Sequence, residues 1–566
     1  MVAETTEVVS RGRWRPRLIR WGIEAWPVVV AAFAGLIAMG HIADSPWKDT
    51  FLYNSDSLIL PMIEKSIANG ESMHWIFSSQ NFLFPEGLFF FLSTLFTDSP
   101  QTALLTNGVL NIVALYVLLR VIAHLLAHRS RHRYVEISIA LAATFLFVVY
   151  VLLEPTASVN RSGIASTFLM TTYYYGVILT GLGLIALALW VTRSFSQADW
   201  GRRRSIIFAV ASAALATITT FSDPLYVMQV VAPFAVTALL LVFLNRLSWR
   251  GLLVLLAPTA VGVLIGFGLR VVFRSIFASG LGSYVAINNI PEAIKLFRTA
   301  LFEMLSSAQG TFKLLISAVI LIITVAILVF ALYAQSRPRL ARRIATAEVF
   351  IAAFVSISAI SLVVGQVLTG TTNTRYLEPL FLFPLLTVVS VGVYILRRLL
   401  VEVKSSEMRR SLSRFNLGIG VLASALIVVL GVISTPPVVR AANGEGYTGT
   451  ACFDDFVGDK DINGVGSFWS VRALDLYGHS EGRVLQVEDE FRVFQWMNNI
   501  TPYADKTFSY VVDDGAGQFD NEDIAALGEP ADVIQCPSYV IYDYAGTDGE
   551  DILTDRVAAN LAQILG

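Results

Sequence analysis

A polytopic α-helical membrane protein with a C-terminal extracytoplasmic α/β domain is the fold class this sequence predicts, and three observations predict it. The 566-residue chain is 55% hydrophobic and only 15% charged, with a mean hydropathy of +0.64, too apolar for an ordinary soluble protein. Its charge is divided: residues 435–566 hold 23 Asp and Glu against 7 Lys and Arg, and residues 1–434 hold the other 20 and 34 of the chain's 43 and 41. All the apolar runs lie in the basic part, and basic connections alternate along them.

Taken in order, apolar runs near 23–43, 103–125, 134–153, 174–192, 205–221, 224–244, 251–273, 311–334, 345–368, 376–396 and 416–434 predict about eleven spans, each near the roughly 20 residues a bilayer requires. The first run follows Arg11, Arg13, Arg15, Arg17 and Arg20. It is longer than a signal-peptide core of about 7–15 residues, so it reads as a retained span. Lys and Arg gather in the N-terminus and in connections 128–133, 193–204, 246–250, 337–343 and 397–414, every second one. Basic short loops stay cytoplasmic, so the expectation is N-terminus inside and C-terminus outside. The outer connections are then 44–102, 154–173, the turn at Ser222 and Asp223, 274–310 and 369–375. Within the first, 56–69 predicts a short helix, and Leu88–Phe96 is too short to span and reads as interfacial or re-entrant.

The expected division is a transmembrane domain over 1–434 and a soluble domain over 435–566. The soluble part opens on STPPVVRAANGEG, which reads as a linker. Beyond it, Phe508–Val512 and Ser538–Tyr544 read as strands, and Val487–Asn498 and Asp551–Leu565 as helices. Cys452 and Cys536 are the chain's only cysteines. Both fall outside, where an oxidising compartment lets them pair. A catalytic or metal-binding pair has no neighbouring His to support it.

Chemistry points first to WKDTFLYNSDSLILP, residues 47–61, where Asp56 sits about a dozen residues beyond the first span. A carboxylate at the membrane border reaches water-borne and lipid-borne groups alike, and ionisable residues there are costly enough to suggest function. The competing reading is an N-cap, with Ser55 or Asp56 starting the 56–69 helix. Glu86, Glu154, Asn160, Arg161, Asp223, Arg375, Tyr376 and Glu378 also fall at outer span ends. The carboxylates suit a base or a metal ligand, and Arg161 and Arg375 suit a phosphate; caps, ion pairs and snorkelling side chains are the alternatives. His74, between Met73 and Trp75, reads as an interface residue more than a ligand. Trp469, Tyr477, Trp496 and Tyr503 are either sugar-stacking surfaces or core. Arg120 and Arg270 read as snorkelling side chains.

The phrases LYNSDSLILP, NFLFPEG, FSDPLYVM and NTRYLEPLFLFP, together with GVGSFWSVRAL, FSYVVDDG and IAALGEPADVIQCPSYVIYDY in the tail, resemble bacterial members of the GT-C superfamily of membrane glycosyltransferases. The resemblance runs over essentially the whole chain and lies in order and pattern. Many members carry paired acids in the first loop, whereas serines flank Asp56 here, which leaves a second acid and any divalent cation open. The resemblance implies an enzyme of the bacterial cytoplasmic membrane that takes a sugar from a polyprenyl-phosphate donor to a glycan, lipid or protein acceptor. Asp56 would be the general base and Arg375, then Arg161, would hold the donor phosphate. A transporter or flippase would show midplane charges or broken helices and often an internal repeat. A glycan ligase or polymerase would favour a long loop between late spans, and a sensor would not need eleven spans. No GxxxxGK[ST] or HExxH motif is present, so nucleotide hydrolysis and zinc chemistry have no support. The basic residues are explained by topology, without nucleic acid.

Overall fold

The computed structural model describes residues 15–127, 133–154, 163–192, 201–278, 286–337, 344–402, 406–480, 482–515, 519 and 521–565. Among them, nine helices are long and apolar enough to cross a membrane: Gly22–Ala43, Pro100–Ala127, Arg133–Leu152, Arg202–Ser222, Trp249–Val272, Ala308–Ala334, Thr346–Leu368, Thr374–Arg398 and Gly418–Ala442. The other two expected spans appear as shorter apolar helices, Tyr175–Val191 and Val227–Phe243. Tyr175–Val191 has 17 residues, nearly all buried. A helix apolar on every face is stable only when protein or lipid surrounds it, and here it is the packed centre of the bundle.

Two features of these helices bear on the site. Gly262 and Gly266, one turn apart, let Trp249–Val272 approach Arg202–Ser222 closely: a Cβ at Gly262 would stand 2.3 Å from the Ala213 carbonyl oxygen, the small-residue packing typical of membrane helices. Thr374–Arg398 is broken at its start, with a 3-10 turn over Thr374–Leu377, a short helix Pro379–Leu382 and a regular helix only from Leu385. Pro379 and Pro384 withhold the amides a continuous helix would need. The segment therefore starts as an open turn carrying Arg375.

The C-terminal segment holds a six-stranded sheet in the order β4-β3-β2-β6-β8-β7, with β2 Asn463–Gly466, β3 Val484–Glu488, β4 Arg492–Val493, β6 Phe508–Asp513, β7 Asp532–Gln535 and β8 Val540–Asp543. Strand β2 runs parallel to β3 and β6, and the remaining pairs are antiparallel. Helix Asp548–Leu565 buries Leu553, Val557 and Leu561, and Cys452 is bonded to Cys536.

Two readings are corrected. Val487–Asn498 is not a helix: it holds the end of β3, the β3–β4 turn and β4. Val487, Phe491, Phe494 and Met497 recur every three or four residues, a spacing that mimics a helical stripe, but Glu490 and Phe491 both have φ of 59°, a conformation that ends a helix. The supposed linker is helical from Thr435 to Ala442, because its two prolines occupy the first helical positions, where no amide is needed.

The sheet-bearing segment meets the 44–102 connection at one end of the bundle. Strand β1 Trp75–Ile76 pairs antiparallel with β5 Asn498–Asn499. Tyr53 stacks on Tyr447 with ring centroids 3.6 Å apart, and the Tyr477 hydroxyl donates to the Leu52 carbonyl at 2.8 Å.

Candidate active site

Asp56 is held by a turn whose backbone is fixed from three directions. Helix Trp47–Leu52 ends at Tyr53, and the Asp56 amide donates to Asn54 Oδ1 at 3.1 Å, a local Asx arrangement. Three successive carbonyls each accept a side-chain donor. Ser55 O takes Arg472 Nη1 at 3.0 Å, Asp56 O takes the Thr172 hydroxyl at 2.5 Å, and Ser57 O takes the Thr171 hydroxyl at 3.0 Å. The following helix, Ile59–Ala68, has Leu58 as N-cap with no side-chain cap bond. The Asp56 carboxylate is therefore not spent on capping.

Asp56 Oδ2 instead accepts from Arg375 Nη1 at 3.2 Å and from the Tyr173 hydroxyl at 3.4 Å. The guanidinium carbon lies 5.0, 5.5 and 5.8 Å from the ring centroids of Tyr173, Tyr174 and Tyr376, so three aromatic faces hold the cation. Asn373 Oδ1 accepts the Arg375 amide at 3.1 Å and shapes the turn. Arg375 Nε is buried, with no hydrogen-bond partner among the described residues. Burial pushes the Tyr173 phenol up, and the adjacent Asp56 pushes it further, so it stays a donor.

Asp56, Tyr173 and Arg375 open onto one cavity of about 410 Å³, also lined by Trp47, Asn54, Gly163, Ile164, Thr167, Leu296, Asn373 and Trp469. Gly163 is required there: a Cβ would fall 1.6 Å from the Trp47 ring. The cavity mixes an ion pair, hydroxyls and amides with apolar walls, the composition of a small-molecule site.

The other expected site residues separate. Asn160 and Arg161 lie outside the described residues. Glu154 is ion-paired with Lys313, with neither side chain exposed, and it accepts from the Ser166 amide at 2.8 Å and the Ser166 hydroxyl at 2.5 Å. Glu378 is buried beside the cavity wall, with Thr167 Oγ1 at 3.5 Å from one oxygen and no partner for the other among the described residues. Glu86 accepts the Gly176 amide at 3.1 Å. Burial, and then Asp223, push its carboxyl up to about 8. Asp223 accepts the Leu225 amide at 2.9 Å, and burial raises it to about 7. Tyr376 walls the guanidinium, and its carbonyl accepts Gln229 Nε2 at 3.2 Å. His74 is exposed and lies 3.3 Å from the Thr501 hydroxyl, on the seam with the sheet-bearing segment. Arg120 does not snorkel: it is buried and bridges Glu24 at 2.9 Å and Glu136 at 3.1 Å. Arg270 donates to the Phe221 and Ser79 carbonyls.

Sequence reasoning missed Tyr173, Tyr174, Lys313 and Arg472. The run TTYYY at 171–175 and the single Lys313 before a long apolar stretch were the available signals, since a charge bordering a span is costly. Asp56 has Arg375 and Tyr173 as its nearest side-chain partners, a set that suits an anion better than a metal ion. Among the described residues, no group of three or more His, Cys, Asp or Glu is placed to hold a metal.

No protein-family model matches this chain, and no curated protein matches it. Among solved structures, the chain is similar to the Archaeoglobus fulgidus oligosaccharyltransferase in complex with Zn and sulfate, at 13% identity and a TM-score of 0.37, covering 86% of this chain and 68% of that one. It is also similar to the archaeal oligosaccharyltransferase AglB from the same organism, in complex with an inhibitory peptide and a dolichol-phosphate, at 12% identity and a TM-score of 0.35, covering 87% and 70%. The apo form of the A. fulgidus enzyme gives 15% identity and a TM-score of 0.30, covering 86% and 69%.

Proposed function

We propose that this chain is a GT-C-type glycosyltransferase that moves a sugar from a polyprenyl-phosphate donor to an acceptor hydroxyl at the outer face of the bacterial cytoplasmic membrane. The observation that carries the proposal is the Asp56–Arg375 pair at the mouth of one polar-and-apolar cavity, at the end of the bundle. The basic connections, being cytoplasmic by the positive-inside rule, put that end outside.

In the proposed reaction, the donor phosphate approaches Arg375, whose unpartnered Nε supplies a second donor for a bidentate contact. The phosphate competes with Asp56 for the guanidinium and frees a carboxylate oxygen. The acceptor hydroxyl then attacks the anomeric carbon. The bond from that carbon to the phosphate oxygen breaks, the phosphate leaves with the electron pair beside Arg375, and Asp56 takes the acceptor proton. A base of this kind must come within about 2.6–3.2 Å of the hydroxyl, and fixed cations at the leaving group lower the barrier. A single displacement inverts the anomeric centre.

The test incubates the purified full chain with a panel of polyprenyl-phosphate sugars, with and without a chelator, and follows release of the lipid phosphate. Asp56→Asn is expected to lower turnover by about 10²–10⁴-fold with folding retained. Turnover by Asp56→Asn within threefold of wild type would overturn the assignment. The chelator arm reports on a divalent cation directly.

A further inference from the structure

We infer that Trp469 is the acceptor platform of the Asp56 cavity and that the acceptor is a saccharide; this rests on the glycosyltransferase reading above. Among the described residues lining the cavity, Trp469 alone comes from the sheet-bearing C-terminal segment. The apolar wall, with Ile164, Met170 and Leu296, comes from segments that join membrane helices, so a lipid-borne donor belongs on that side. The wall supplied by the water-borne segment faces the water-borne substrate.

The indole is held for binding rather than packed into a core. It remains 51% exposed, whereas Tyr503, considered with it from sequence, is buried and Tyr477 is half-buried. Phe468 meets the Trp469 ring edge-on at 4.8 Å and is itself covered by the Arg472 guanidinium at 4.4 Å. The helix Phe468–Tyr477 is fixed to the Asp56 loop along its length. The Ser55 hydroxyl donates to the Trp469 carbonyl at 3.0 Å, Arg472 holds the Ser55 carbonyl, and Asp475 pairs with Lys65 at 3.4 Å and with Arg483 at 2.9 Å. Trp469 and Asp56 therefore keep a constant separation, which is the requirement for presenting an acceptor hydroxyl to a base.

A flat aromatic face beside hydroxyl and amide side chains is the chemistry that recognises a sugar ring: the C–H face lies on the indole, and the hydroxyls meet Thr50, Asn54 and Asn373. An extended peptide is less suited, because no lining residue belongs to a β-strand and no sheet edge is offered to its backbone.

The test measures binding to the full chain in lipid nanodiscs by saturation-transfer NMR. The probes are methyl glycosides and trisaccharides of hexoses and pentoses, with Ser- and Thr-containing hexapeptides as the competing class. Wild type is expected to bind members of the saccharide set. Trp469→Ala should weaken that binding about tenfold or more, the loss expected from truncating an anchoring tryptophan, and Trp469→Phe should retain part of it. Trp469→Phe keeps a ring against Phe468 and decides the matter if the alanine variant does not fold. The acceptor KM in the transfer assay should rise in the same order. Unchanged saccharide binding in both variants, or wild-type binding of peptides and no saccharide, would overturn the inference. Failure of wild type to cleave any polyprenyl donor sinks the glycosyltransferase reading instead, and the binding arm still decides whether Trp469 is a sugar platform.

Discussion

Lys313→Met tests whether Glu154 is a latch or a reactive carboxylate. Lys313 and Glu154 expose no side-chain surface, and the ammonium also sits 4.0 Å from the Phe381 ring centroid. Removing the cation leaves a buried carboxylate with the Ala165 and Ser166 donors alone. Breaking one side of a buried ion pair costs about 3–5 kcal/mol, and the surviving hydrogen bonds place this case toward the lower end. The double change Glu154→Gln with Lys313→Met removes both charges, and the glutamine carbonyl keeps an acceptor for one amide. Its expected cost is about 1–2 kcal/mol, less than Lys313→Met alone. The pair should therefore couple by at least about 1 kcal/mol in a double-mutant cycle. The assay is equilibrium unfolding of the purified chain in bicelles under an SDS titration, followed by tryptophan fluorescence. A cost below about 1 kcal/mol for Lys313→Met, or additive costs in the double variant, would refute the latch. Full transfer activity in the double variant is expected; its abolition with folding intact would return Glu154 to the catalytic candidates.

Two further outcomes follow from the same geometry. Arg472 is fully buried, burial pushes its guanidinium down to about 10, and it donates to the Ser55, Trp496 and Met497 carbonyls and to Gln486; Arg472→Ala should raise amide exchange across residues 52–58 and lower kcat at least about tenfold through a misplaced Asp56, with Arg472→Lys intermediate, and unchanged exchange there would show that the clamp does not position the loop. Glu86, with an ordinary value of 4.5, is raised to about 8 in the folded protein, so its contribution to stability is full below about 4.5 and is lost as pH rises through about 8; Glu86→Gln should flatten the decline in stability between pH 5 and 8, by up to about 1.4 kcal/mol per pH unit, and an unchanged slope would show that Glu86 ionises freely when folded.

The membrane part was legible in the sequence because a bilayer imposes a local rule: a span must be long and apolar wherever it lies. Every expected span corresponds to a helix, including the two that prove shorter. Asp56 stood out by the same logic, as a charge bordering a span, where charge is costly, whereas Arg375 was one of several charges at outer span ends and only the family resemblance put it first. Strands β6 and β8 and the final helix were readable from their apolar patterns, but Val487–Asn498 was not, since apolar residues at 487, 491, 494 and 497 fit a helix as well as short strands joined by a tight turn.

Only the tertiary structure decided which polar groups meet. Nothing within reach of residue 56 along the chain indicates that Arg375 completes its ion pair, that Tyr173 joins it, or that Arg472 holds the carbonyl next to it. Nor does the sequence near Glu154 show that Lys313, 159 residues away, takes its charge. Hydrophobic burial depends on composition and period, which a sequence displays. The partner of a buried charge depends on the path of the whole chain, and that path sets Arg375 against Asp56 at the cavity and Lys313 against Glu154.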